Sequence, residues 1–84
     1  MNFVAEINIM PNKELLDPQG RAVANNIKNL HISGIHDVRI GKRIVMQLEA
    51  DSEADAHAKV ESACRQLLAN LIMETYSFEV KALG

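Results

Sequence analysis

The side chains best suited to covalent chemistry are one thiol and one imidazole, Cys64 and His57, seven residues apart. That spacing would put them on nearly the same face of a helix, and a cysteine beside a base can form a nucleophilic catalyst. The helical rise separates them by roughly 10 Å, whereas a proton-sharing pair must approach to about 3 Å. We therefore predict that Cys64 is a small buried apolar residue and that the chain has no catalytic pair here.

The sequence also gives little support for a metal site or a phosphate-binding site. His31 and His36 flank a short segment, but only Asp37 lies near them, which does not complete a recognisable ligand set. Glycines stand at positions 20, 34, 41 and 84, so neither a dinucleotide-binding fingerprint nor a P-loop can be written. We expect this chain to bind no metal and no cofactor.

One tight basic cluster remains: Arg39, Lys42 and Arg43, at the tip of a predicted hairpin. A formal net charge of −2 and a low aromatic content of 4% disfavour a surface that stacks nucleic-acid bases. A solvated turn is the simplest interpretation, and a docking patch for an acidic protein surface is the functional alternative. No nucleic-acid partner is expected.

The chain that must position these groups has 84 residues, 48% of them apolar and 24% charged. This size predicts a single domain, residues 1–84, whose small core would gain from association with another chain. Cys64 is the only cysteine, which excludes an intramolecular disulfide and favours the reducing cytoplasm. The longest wholly apolar run, residues 71–73, is far short of the roughly 20 residues that cross a bilayer, so no membrane partner is expected.

The spacing of apolar residues predicts the first elements of the fold. Residues 3–9 alternate as in a half-buried strand, and Val23, Ile27 and Leu30 predict a helix that ends near Ser33-Gly34. Short alternating runs over 38–40 and 44–48 then predict a hairpin. If both runs face one core, the hairpin needs a three-residue loop, in or beside which Gly41 takes a positive φ.

A second helix and a last strand complete the pattern. Residues 52–55, SEAD, have the form of a capping box with Asp in place of Glu, and an apolar helix face follows from Val60 to Leu71. Residues 76–80 alternate again. The order βαββαβ predicts an α+β, ferredoxin-like fold, with a four-stranded antiparallel sheet and both helices on one face.

The stretch LDPQGRAV, residues 16–23, opens the first helix and contains a glycine that no capping rule requires. Asp17 at the N-cap and Pro18 at the first helical position are explained by capping alone. Gly20 costs about 1 kcal/mol relative to alanine, which indicates that another group approaches its backbone. Because Asp17 would repel an anion, we predict a packed protein surface there, with Gln19 and Arg21 hydrogen bonding at its edge.

Together with DVRIGK, residues 37–42, this stretch resembles the small PurS-type subunit of bacterial phosphoribosylformylglycinamidine synthase. The resemblance covers nearly the whole chain, and family members end in a segment like NLIMETYSFEV, residues 70–80. The family usually has a proline where Leu71 stands, so the turn into the last strand is expected to differ.

The resemblance implies a role in the fourth step of purine biosynthesis. ATP, formylglycinamide ribonucleotide, glutamine and water give formylglycinamidine ribonucleotide, ADP, phosphate and glutamate. A large ligase subunit uses ATP and Mg, and a glutaminase subunit releases ammonia. The small subunit is implied to be a non-catalytic homodimer or homotetramer that bridges the other two and helps to protect the ammonia path.

The predicted partner contacts are residues of the two motifs: Asp17, Gln19, Gly20, Arg21, Arg39, Gly41 and Lys42. The segment from Leu67 to Met73 is more apolar than one small sheet needs, and is a further candidate for a subunit contact. Two alternatives stay open. One is a small-molecule-sensing regulatory domain, since ferredoxin-like layers often bind metabolites where they pair, and the other is an RNA-binding module.

Overall fold

The computed structural model describes residues 1–14 and 17–83, which contain three strands, two α-helices and one π-helical turn. The bounds are β1 Asn2–Pro11, α1 Pro18–Asn29, β2 Lys42–Glu49, α2 Glu53–Ala63, the π-helical turn Cys64–Leu68, and β3 Glu74–Ala82. Within these residues no helix is long and apolar enough to cross a bilayer.

β1 is the central strand of an antiparallel sheet with the order β2-β1-β3. Ile7 lies opposite Ile44 of β2 on one side and opposite Phe78 of β3 on the other. Because side chains alternate along a strand, one face of β1 supplies most of the core. The buried residues on that face are Phe3, Ala5, Ile7 and Ile9.

β1 continues to Pro11, beyond the predicted end at Ile9. A proline has no backbone N–H, so within a central strand it leaves one hydrogen bond to a neighbouring strand unmade. At this end of the sheet, however, pairing with β2 stops at Ile9 and Lys42, whereas Pro11 pairs with Glu74 of β3 alone. The missing N–H therefore falls where β1 has only one neighbour.

α2 packs over the buried face of the sheet through Ala56 and Val60, and Cys64 at the start of the π-helical turn continues this contact. Its predicted cap is confirmed, because the Ser52 hydroxyl accepts a hydrogen bond from the Asp55 N–H at 3.1 Å. The Asp55 carboxylate accepts in return from the N–H of Asp51, at 3.1 Å, one residue before the cap.

The last turn of the second helix is π-helical and stops short of the predicted Leu71. The Ala69 N–H donates to the Cys64 carbonyl oxygen at 3.0 Å, which closes a turn five residues long. The wider turn leaves Cys64 and Ala69 buried while Leu67 is 81% exposed.

The predicted four-stranded sheet is wrong: in the described residues the sheet has three strands. Residues 38–40 are not a strand, because the Ile40 N–H donates to the Asp17 carboxylate at 2.9 Å and pairing with β1 begins only at Lys42. The hairpin and its three-residue loop are therefore wrong as well. Gly41 does not have a positive φ; Gly34 does, at 89°.

The prediction that both helices cover one face of the sheet is also wrong. α2 contacts β1 and β3, but α1 makes no comparable contact with any strand. Only Gly20 of α1 is buried, and the helix ends at Asn29, before the predicted Ser33-Gly34, with His31 at φ 61°. The α+β class holds, but the layering differs.

The displaced helix makes the molecule long. Its extents are 51 × 29 × 14 Å, and its radius of gyration is 16.6 Å, against about 12 Å for a compact chain of this length. A ten-residue strand spans about 33 Å and a twelve-residue helix about 18 Å, which together match the long axis. We call the projecting segment, residues 18–38, the arm.

Candidate protein–protein interaction site

Asp17 joins the two motifs that the sequence singled out. One carboxylate oxygen caps α1 by accepting from the Gly20 N–H at 3.0 Å, and the other accepts from the Ile40 N–H at 2.9 Å. The Gly20 bond, the Ile40 bond and the nearby Arg39 charge lower the pKa of Asp17, against a smaller opposing effect of desolvation. The predicted cap is confirmed, while the bond to Ile40 was not foreseen. Leu16, the first residue of the motif, lies outside the described residues.

Gly20 has a group close to its backbone, as its position predicted, and that group belongs to the same chain. A β-carbon at Gly20 would collide with the Val38 carbonyl oxygen and lie 2.6 Å from an Asp17 carboxylate oxygen. The glycine therefore lets residues 38–40 pass directly against the first turn of α1.

Arg39 ties the second motif to the end of β1. Its guanidinium donates to the carbonyl oxygens of Pro11 at 2.8 Å, Asn12 at 3.0 Å and Lys13 at 3.4 Å. These carbonyls lie where β1 has left its partner β2, so the guanidinium satisfies acceptors that the sheet does not.

Glycine is required at position 41 because there is no room for a β-carbon, and not because of its φ angle. A β-carbon there would collide with the Ile9 carbonyl oxygen and the Met10 sulfur. We call the contacts of Asp17, Gly20, Arg39, Ile40 and Gly41 the anchor, because they hold both ends of the arm to one end of the sheet.

The seven predicted contact residues thus divide into two groups. Asp17, Gly20, Arg39 and Gly41 form the anchor. Gln19, Arg21 and Lys42 are exposed beside it, and Lys42 forms an ion pair with Glu74 at 3.5 Å. Contact of any of the seven with another protein stays a prediction.

The surface that the sequence did not reveal is apolar and lies on the arm. Val23, Leu30, Ile32 and Ile35 are all exposed, Leu30 by 68%. The helical spacing of Val23 and Leu30 was visible in the sequence, but spacing shows only that a helix has an apolar side and not which chain covers it. Exposed apolar patches of this kind mark interaction surfaces.

A second apolar surface follows the π-helical turn. Leu67, Leu71, Ile72 and Met73 are exposed there. This is the segment predicted as a further subunit contact, and its exposure agrees with that role, although the contact itself stays a prediction.

His57 and Cys64, the groups considered first for chemistry, each have a structural role on the core side of the fold. The ring of His57 lies against Phe78, with centroids 4.7 Å apart. Cys64 is fully buried, and burial, with a smaller effect of Glu61, raises the pKa of its thiol, which disfavours the reactive thiolate. Across residues 1–14 and 17–83, no three His, Cys, Asp or Glu side chains are grouped to hold a metal ion. The geometry offers a shaped surface rather than a reaction centre.

Comparison with known proteins separates the interpretations left open by the sequence. The sequence profile of PurS, described as phosphoribosylformylglycinamidine (FGAM) synthase, matches residues 4–82. The chain belongs to the PurS family. The identification of the family from the two motifs is thereby confirmed, and the sensing and RNA-binding alternatives lose their basis.

Individual relatives agree with the PurS assignment. The PurS subunit of Synechocystis is 40% identical over 98% of this chain and 82% of its own length. That of Bacillus subtilis is 33% identical over 94% of this chain and 93% of its own length. Both are named phosphoribosylformylglycinamidine synthase subunit PurS.

Solved structures extend the likeness to the backbone. Thermus thermophilus PurS superposes with a TM-score of 0.88 at 35% identity, over all of both chains. A chain from the structure of PurLQS from Thermotoga maritima gives a TM-score of 0.89 at 25% identity, over 96% of this chain and 99% of that one.

Proposed function

We propose that this PurS-family chain is the non-catalytic subunit of FGAM synthase that bridges the ligase and glutaminase subunits. As a family member it is a subunit of the FGAM synthase of purine biosynthesis, a ligase complex. The observation that best supports the bridging role is the anchor. Its contacts join the two sequence motifs and fix the apolar arm in a position that projects from the sheet. An arm held away from its own sheet is suited to contact another chain.

The chemistry is assigned to the other subunits. The ligase subunit uses ATP and Mg to activate formylglycinamide ribonucleotide, and the glutaminase subunit releases the ammonia that completes formylglycinamidine ribonucleotide. This chain binds no cofactor, and its part is to hold the two sites in an orientation that keeps ammonia from the solvent. The unpaired thiol of Cys64 suits assembly in the reducing cytoplasm.

Self-association, as a homodimer or homotetramer, is part of the proposal. Its support is the uncovered apolar surface of the arm and of the segment after the π-helical turn. A chain of this size gains stability by burying such surface against another copy.

The contacts with the partner subunits are assigned to the polar residues at the start of the arm. Gln19 and Arg21 are exposed on the first turns of α1, next to the anchor, and Lys42 is exposed at the start of β2. Four anchor residues support the same surface because their contacts fix the direction of α1: Asp17, Gly20, Arg39 and Gly41.

Reconstitution tests the bridging role. Purified ligase and glutaminase subunits, assayed with and without this chain, should form formylglycinamidine ribonucleotide from glutamine only when the chain is present. Ammonia at high concentration should support the same reaction in both mixtures, which controls for an active ligase subunit. Efficient glutamine-dependent turnover by the other two subunits alone would refute the proposal.

A further inference from the structure

β3 is an edge strand whose outer side is free along its length. The sheet order β2-β1-β3 gives it β1 on one side and no described strand on the other. β3 pairs with β1 at nine consecutive positions, from Glu74 opposite Pro11 to Ala82 opposite Phe3, without a bulge. Residues 74–82 contain no proline or glycine. Free edges are commonly interrupted by bulges or proline, so an uninterrupted edge is suited to pairing with another strand.

Two hydrogen bonds at the ends of the ladder show which backbone groups of β3 point outward. The Leu83 N–H donates to the Asn2 carbonyl oxygen at 2.8 Å, and the Asn12 N–H donates to the Met73 carbonyl oxygen at 2.7 Å. Both pairs continue the register of β1 and β3, in which bonded and non-bonded pairs alternate. The odd-numbered residues of β3 therefore bond to β1. The residues whose N–H and C=O groups point away from the sheet are Tyr76, Phe78 and Val80.

The side of α2 above this edge is acidic. The His57 ring lies against Phe78, with centroids 4.7 Å apart, and the Glu61 carboxylate accepts from the Tyr76 hydroxyl at 2.5 Å. Glu53 lies one turn before His57 on the same side of the helix. Glu53 and His57 are exposed, and Glu61 is half-buried. A strand added at β3 would therefore meet two acids on the side that faces α2.

A second copy of β3 does not suit this edge. With full overlap, antiparallel pairing of two β3 strands places Phe78 opposite Phe78 and sets the two α2 helices about 10 Å apart, which is a packing distance. Because His57 lies over Phe78, Glu53 of each helix then faces Glu61 of the other. Two contacts between like charges oppose such pairing.

We propose that an extended segment of one of the other two FGAM synthase subunits adds a strand at the edge of β3, with basic side chains facing α2. This rests on the proposed bridging role and names a surface for it. A bridge needs a separate surface for each partner, and β3 is the edge of the sheet opposite β2, where Lys42 is assigned to a partner contact. Main-chain hydrogen bonds give such a strand its affinity, and the acids of α2 give it selectivity.

Hydrogen exchange resolved to single amides compares the isolated chain with its complex with purified ligase and glutaminase subunits. In the isolated chain, the amides of Tyr76, Phe78 and Val80 should exchange faster than those of Ser77 and Glu79, which bond to β1. In the complex, the three outward amides should slow at least about tenfold. Unchanged exchange in the complex would overturn the proposal. Outward amides that are already as slow as Ser77 in the isolated chain would overturn it in favour of a second copy.

Removal of a single outward donor tests whether the protection comes from strand pairing. Cys64 is the only cysteine, so a synthetic peptide of residues 64–84 can be ligated to residues 1–63 at this position. N-methylation of the Phe78 amide in that peptide blocks the edge and leaves the bonds to β1 intact. The dissociation constant of the complex should rise at least about tenfold, whereas the ligated chain without the methyl group is the matched control. Equal binding by two ligated chains with the same circular dichroism would refute the added strand.

A charge reversal tests the chemistry of the added strand in the genetically encoded chain. Glu53→Lys puts a base beside the basic side chains expected there and should weaken binding to the other subunits at least about tenfold. Glu49→Lys makes the same change at an exposed position of β2, on the opposite edge of the sheet, and should leave binding unchanged. Equal binding by the two variants, both folded by circular dichroism, would contradict a basic strand at β3.

These outcomes are independent of the bridging role. If the outward amides stay unprotected but glutamine-dependent synthesis still requires the chain, only the added strand is refuted. If the amides are protected and the other subunits need no third chain for that synthesis, only the bridging role is refuted.

Discussion

At the scale of single residues, Asp17 connects two segments that are far apart in the sequence. Its two carboxylate oxygens each accept a backbone N–H, one from α1 and one from the segment before β2. A cap signature in a sequence accounts for the first bond because the donor is only three residues away. The second donor, Ile40, is 23 residues away, and no local rule points to it.

Replacement of Asp17 by Asn should give a pH-dependent loss of stability. The amide can accept one of the two N–H bonds but turns an NH₂ group toward the other donor. The lowered pKa means that the charged carboxylate favours the fold above its ordinary pKa of 3.8, and this advantage is lost as pH falls through the lower, folded-state pKa. Urea midpoints should therefore separate the two proteins at pH 7, and the gap should narrow as the pH falls below 3.8 and through the lowered pKa.

Asp37→Asn is a fitting control for this comparison, since Asp37 is exposed and lies near the same segment. Its midpoint should follow that of the unaltered chain. A gap between the Asp17→Asn variant and the unaltered chain that stays constant at every pH would contradict the assigned role of the charge.

At the scale of elements, the close passage of residues 38–40 over α1 makes Gly20 a test of packing against helix propensity. Alanine is favoured over glycine inside a helix by about 1 kcal/mol. Here the added β-carbon would collide with the Val38 carbonyl, a backbone atom that cannot turn aside. Gly20→Ala should thus destabilise the protein by about 1–3 kcal/mol in urea unfolding.

Asn25→Ala, at an exposed position of the same helix, should be neutral or stabilising under the same conditions. If Gly20→Ala were also neutral or stabilising, the close contact between Gly20 and Val38 would be absent in solution.

The elements also show what their sequence could and could not indicate. The Asp17 and Ser52 caps, the alternation of β1 and the polar outer face of β3 follow from neighbours within a few residues, and all were predicted. Val38 and Ile40 alternate like a strand, but their backbone contacts Gly20 and Asp17 of the anchor and does not pair with a strand. An apolar period of two predicts which residues lie on the same face, but it does not show that another strand pairs with them.

The geometry of the candidate interaction site was likewise predicted only in part. The oddity of Gly20 correctly indicated a close approach to its backbone, and both motifs do meet in space. What approaches is the chain's own backbone, because sequence spacing cannot distinguish a distant part of one chain from another chain. The arm was missed for the same reason: Val23 and Leu30 resemble core residues until the core turns out to lie elsewhere.

At the scale of the whole molecule, the start of the arm is the surface that we propose for contact with the partner subunits. Reversing the charge at its start, with Arg21→Glu, should weaken co-elution of this chain with the ligase and glutaminase subunits in gel filtration. Self-association of the isolated chain should change little, because one exposed charge contributes about 0–1 kcal/mol. Circular dichroism should show an unchanged fold.

Lys28→Glu makes the same charge reversal two turns along α1, on the same side of the helix. It lies farther from the anchor and should leave co-elution intact. Unchanged co-elution of the Arg21→Glu complex would remove Arg21 from the partner contact.

The exposure of the arm also bears on how readily proteases cleave this protein. Arg21 and Lys28 put two trypsin-type cleavage positions on a helix that has almost no cover in a lone chain. Once a second chain covers the helix, local unfolding there becomes rarer and cleavage slows. Limited trypsin digestion should therefore cleave the isolated chain at Arg21 and Lys28 faster than the chain in a complex that covers α1.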